Sequence, residues 1–184
     1  MAGWADLEVL ISNLSPDDRA LLSRYTALDL SAGPDAVAAT LRAFAQRSPD
    51  STPSVLLATA GAHAAQAGEE DFARRIGGAA LDIAATSEER RIAHVCLAQT
   101  HFRRRRDGAE LEAFIAHCRA AVDLGHTGTF CYERLAVLYE YRGDLDGAIE
   151  ICRRAVNALS GAGDDRSAGR FKRRLARLSA QRAG

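Results

Sequence analysis

The chain has 184 residues, 47% of them hydrophobic, and much of that share is alanine beside only six Phe, four Tyr and one Trp. Alanine is the best helix former and lets helices approach closely, while β-branched and aromatic runs are scarce, so composition argues for an all-α chain and against sheets. The 24 basic and 24 acidic groups cancel, but residues 1–89 carry 6 and 13 of them and residues 90–184 carry 18 and 11, an asymmetry of −7 against +7 that can steer partners or drive head-to-tail contacts.

In chain order, Trp4 to Leu14 reads as a short amphipathic helix with Leu7, Leu10 and Ile11 on one face. "SPDD" then offers Ser15 as N-cap, Pro16 as first helical residue, and Asp17 and Asp18 at the positive end of the dipole. The second helix is expected to run to about Leu30, where "SAGPD" breaks it, and a third covers about Pro34 to Gln46 with Val37, Leu41 and Phe44 inward. "RSPDSTP" (47–53), with two prolines and two serines, is expected as a linker. A helix, a turn at Gly68 and a second helix opened by Glu69, Glu70 and Asp71 follow. Thr86 and Glu89 fit a capping box before a helix from about Glu88 to Arg104. "RRRDG" turns the chain into a helix from Ala109 to Leu124, and "GHTG" breaks again. "YERLAVLYEYRGDLDGAIEICRRAV" is a third pair turning at Gly143, "SGAGDD" is a loop, and Arg166 to Gln181 is a last helix.

No basic start followed by a long apolar run marks a signal peptide, and no apolar stretch nears the roughly 20 residues of a membrane helix. Cys96, Cys118, Cys131 and Cys152 form no CxxC pair, so free thiols in a reducing cytoplasm are expected. Cys118 and Cys152 fall at core positions, where cysteine acts as a small hydrophobe. Among the five histidines there is no HExxH, and His94, His101 and Cys96 lack the converging spacing of a zinc site. The glycine-rich stretches carry no Walker lysine pattern. No catalytic constellation, metal set or cofactor site is read from the sequence.

The pairs read as copies of one another, the middle one with about four extra residues in its arginine-rich turn. Ala136 and Ala148 are twelve residues apart across the Gly143 turn, as Gly61 and Ala73 are across Gly68, and Gly77 and Ala80 stand where Cys152 and Ala155 do. "CRAAV" (118–122) repeats as "CRRAV" (152–156), 34 residues on. This pattern resembles the tetratricopeptide repeat family: the small residues of its first helix match Gly61, Ala98 and Ala136, and the alanines of its second match Ala148 and Ala155, with Ala73, Ala80 and Ala121. Tyr132 stands at the family's preferred tryptophan and Tyr139 at its usual tyrosine, whereas Phe114 replaces an expected alanine, Ser160 stands at the usual proline, and residues 1–50 do not match. The expectation is an α-solenoid: an N-terminal helical segment (1–50), three helix pairs (54–85, 87–125 and 129–160), and a basic capping helix (165–182).

The resemblance implies a concave groove lined by the first helices. Helical phase assigns to it Val95, Gln99 and Phe102 from the middle pair, and Phe130, Glu133, Val137 and Glu140 from the third. The groove lacks the asparagines and basic residues with which the family's peptide-binding members clamp a terminal carboxylate, so an apolar helix or extended peptide is the expected ligand. The basic features are "RRRR" (Arg103, Arg104, Arg105, Arg106) and the last helix, whose apolar stripe Phe171, Leu175 and Leu178 should cap the array with Arg170, Arg173, Arg174 and Arg177 outward. These arginines are a solubilising surface, a candidate phosphate-binding one, or a contact for an acidic protein. The leading expectation is a non-enzymatic scaffold that binds a protein partner in the groove. A nucleic-acid-associated module using the basic half, a regulatory domain of a larger enzyme complex, and self-association of acidic half with basic half are the alternatives.

Overall fold

The computed structural model describes residues 2–183, which are 80% helical and hold no strand. Ten helices follow one another: α1 (Ala2–Asn13), α2 (Pro16–Thr26), α3 (Pro34–Arg47), α4 (Pro53–Ala67), α5 (Glu70–Asp82), α6 (Ser87–Arg103), α7 (Gly108–Asp123), α8 (Phe130–Tyr141), α9 (Leu145–Gly161) and α10 (Asp165–Ala183). The chain divides into two compact units, Met1–Phe114 and Ile115–Gly184, so the boundary falls inside α7.

Local chemistry sets most helix ends. The Asp18 N–H donates to the Ser15 side chain at 3.1 Å, with Pro16 at the first helical position. Thr52 accepts from the Val55 N–H (3.3 Å), and Asp144 from the Gly147 N–H (2.8 Å). Thr86 and Glu89 form the capping box, in which the Glu89 carboxylate also takes the Ala85 N–H at 2.6 Å. Such caps satisfy donors that the first helical turn leaves without partners. The turns after α4 and α8 use one device. Gly68 (φ 93°) and Gly143 (φ 74°) are left-handed, and the next residue's N–H reaches back to Ala64 O and Tyr139 O, both at 2.9 Å. A side chain at either glycine strains that conformation.

The second helix ends earlier than its sequence indicates. It stops at Thr26, not near Leu30, because Ala27 takes a left-handed conformation (φ 56°) and the Leu30 N–H donates to the Ser23 hydroxyl at 3.0 Å. Leu28 and Leu30 still enter the core from the irregular segment. The expected linker at 47–53 is a short turn, closed by the Ser51 N–H on Ser48 O (3.0 Å), and it separates no core. Leu7, Ile11, Leu22, Leu30 and Leu41 share one apolar cluster with α4, α5 and α6.

In the first unit α4, α5 and α6 pack closely on one another. A Cβ placed on Gly61 would stand 3.3 Å from Ala73 O and 3.5 Å from Gly77 N, so the α4 and α5 backbones nearly touch. The buried Ser54 hydroxyl donates to Ala80 O at 2.8 Å and ties the start of α4 to the end of α5. In the second unit α8 pairs with α9, and α9 with α10. Ala136, Ala148, Cys152 and Ala155 are all fully buried there. Tyr132 is equally buried, donates to His126 O at 2.8 Å, and meets Phe171 of α10 edge-on at 6.2 Å.

Two substitutions test this packing. A Cβ on Gly77 would lie 2.8 Å from Leu97 Cδ2, so Gly77→Ala should cost about 1–3 kcal/mol by overpacking. Ala148→Arg buries an uncompensated charge where no space exists and should cost at least about 3 kcal/mol. Urea unfolding followed by circular dichroism checks both, and unchanged midpoints would refute the close-contact account.

Candidate docking surface

The candidate groove residues are carried by two helices in different units. Val95, Gln99 and Phe102 lie on α6, all half-buried. The Phe102 ring packs on Phe114 with centroids 5.1 Å apart, and the Arg105 guanidinium covers it at 4.3 Å. Phe102 thus has packing partners within its own unit. Phe114, the departure from the expected alanine, is what it packs against.

On α8 the picture differs. Phe130, Glu133 and Glu140 are half-buried, but Val137 is 50% exposed and Tyr141 one turn on is 89% exposed. Val137 forms a groove of about 350 Å³ with Glu133 and Arg134 of α8 and Arg170, Phe171 and Arg174 of α10. Its floor is apolar and its rim carries three guanidinium groups against one carboxylate.

Helix α10 supplies two of those guanidinium groups because its apolar stripe is buried. Phe171 and Leu178 are 3% and 0% exposed, which sets the helix's rotation and leaves the arginines one step round from the core. Arg170 meets Glu133 at 3.2 Å, while Arg174 and Arg177 both reach the Glu140 carboxylate at 2.5 and 2.6 Å. Arg170 and Arg177 are exposed and Arg174 is half-buried, and all three also pair with the acids of α8, while Arg182 pairs with Asp146 at 2.9 Å. Arg173 stays exposed, and with Arg166 and Lys172 it makes no ion pair among the described residues. Burial alone would raise the Glu140 carboxyl, but the hydrogen bonds and charges of Arg177 and Arg174 outweigh it and hold the group below its ordinary value.

The arginine-rich turn behaves alike. Arg103 and Arg104 both reach Glu70 at 3.3 Å, Arg105 lies on Phe102, and all four arginines of the turn are exposed. Nearby, Arg74 hydrogen-bonds both Asp71 and Glu110, and His101 Nδ1 lies 2.6 Å from the second Glu110 oxygen. This network joins α5, α6 and the start of α7, and nothing in the sequence marks it, because its bonded partners are up to 36 residues apart.

All four cysteines are buried and free. Burial pushes the Cys96 thiol up to about 12. The Cys118 thiol is raised by its hydrogen bond with Cys131 and by burial, and Cys152 by burial. Burial of all four side chains places them in the core, where cysteine packs as a small hydrophobe. No helix among the described residues is long and apolar enough to cross a membrane.

The chain matches no protein-family model, no curated protein and no solved structure.

The Glu140 pairs carry a pH signature. A carboxyl whose pKa is lower in the folded state stabilises fully above its unfolded value of about 4.3, and the gain is lost as pH falls through the folded value. Glu140→Gln should therefore cost about 1 kcal/mol at pH 7 and much less at pH 3, allowing for the partial exposure of the pair. Urea midpoints of both proteins at the two pH values check this, and an equal deficit at both would contradict it.

Proposed function

We propose that this chain is a non-enzymatic docking module of the tetratricopeptide kind, which binds a partner's helix or extended segment along α8. The carrying observation is the exposure of Val137 and Tyr141 beside a groove floored by Phe171. Large apolar side chains exposed side by side on an otherwise well-buried helix lose hydration cost when covered. The rim's guanidinium groups favour a segment that brings carboxylates beside its apolar side chains.

The repeat reading is supported by position and packing together. Gly61, Ala73, Gly77 and Ala80 correspond to Ala136, Ala148, Cys152 and Ala155 at a constant offset of 75 residues, and all eight are buried. Buried free thiols accord with a reducing, cytoplasmic setting.

A displayed library of random peptides tests the proposal. Selection on the wild-type chain should enrich sequences pairing large apolar with acidic residues. Val137→Asp should weaken those peptides at least tenfold, which is about 1.4 kcal/mol, without changing the melting temperature. No enrichment, or equal binding to the variant, would refute the proposal.

A further inference from the structure

Among the described residues only three large hydrophobic side chains are exposed: Val9, at 63%, and Val137 and Tyr141. Val9 belongs to the first unit. It borders an open cleft of about 670 Å³, whose apolar walls are Leu10 and Leu14 at the end of α1 and Ile83 just past α5, with Asp6 and Asp82 at its edge. Neither carboxylate makes an ion pair or hydrogen bond among the described residues, and no basic side chain lines the cleft. Asn13 and Asp82, the last residues of α1 and α5, also line it, and neither helix has a basic residue in its last turn. Helix C-termini carry partial negative charge. Two carboxylates and two such ends therefore surround an apolar surface with nothing to neutralise them.

The complementary surface is on the second unit. Arg134, Val137 and Tyr141 are spaced three and four residues apart on α8, with Arg142 beside them, and all four are exposed. This is a basic face with an apolar centre. The charges of the units match that polarity: residues 1–114 hold 12 basic and 16 acidic groups, and residues 115–184 hold 12 and 8.

We infer that the α1–α5 cleft of one copy receives the α8 face of a second copy, Val9 and Ile83 covering Val137 and Tyr141 while Asp6 and Asp82 meet Arg134 and Arg142. The contact is head-to-tail, between two different surfaces of the same chain. It rests on the reading of α8 as a docking helix and names its occupant.

Sedimentation of the purified chain tests it, with charge-reversed variants. At about 0.02 M salt the weight-average mass should rise with concentration to at least about twofold the 19.7 kDa chain, and about 0.5 M salt should reduce it. Asp6→Arg/Asp82→Arg and Arg134→Glu/Arg142→Glu should each stay at the single-chain mass. Mixing the two should restore association, because the reversed cleft of one meets the reversed face of the other, and that recovery also shows that both variants are folded. A wild-type chain that stays monomeric overturns the inference, and the docking reading stands if that chain still selects peptides that depend on Val137. Association that survives the α8 reversal overturns it as well, as does a mixture that fails to associate.

Discussion

The closeness of antiparallel helices is the constraint on which the rest depends. Where the Gly61 Cα faces Ala73 O and Gly77 N, there is no room for a side chain on either side. At ordinary helix spacing of about 8–10 Å, larger residues would push the axes apart. The space is completed by the next helix, since Cys96 Sγ and the Leu97 side chain of α6 stand against Gly61 and Gly77. A helix pair is thus not a finished object. Its small residues make a surface that only a following helix can fill, and α6 does this in the first unit as α10 does on the α8–α9 pair in the second.

The same arrangement distributes the charge. Arg174 lies 34 residues after Glu140, and Arg154 lies 31 after Asp123, so guanidinium groups of one helix reach carboxylates of an earlier one. The arginine excess of the C-terminal half is in large part internal wiring between packed helices. Among the described residues Arg90, Arg106, Arg166, Lys172 and Arg173 are exposed and make no ion pair.

Features governed by a few neighbouring residues were legible in the sequence. The Ser15 cap, the Thr86–Glu89 box and the turns at Gly68 and Gly143 are contacts within one helical turn, and their chemistry is written in four or five letters. The buried alanines of α8 and α9 were legible because repetition exposes them. The end of α2 was not, because a hydroxyl seven residues away captures the Leu30 N–H and the core draws Leu28 and Leu30 in from a non-helical segment. On the candidate surface, helical phase placed Val137 outward, but it gave no sign that Phe114 and Arg105 pack on Phe102. The cleft beside Val9 carried no motif at all, since it is made by the ends of two helices about 70 residues apart.

From the order of residues alone come the helical class, nearly every helix boundary and the small side chains that let helices meet, because propensity, capping and periodicity act over one or two turns. Packing decides which arginine meets which carboxylate, which apolar side chains stay wet and where surfaces of opposite charge lie. Those outcomes depend on the rotation of each helix about its own axis, and that is set by neighbours distant in the chain.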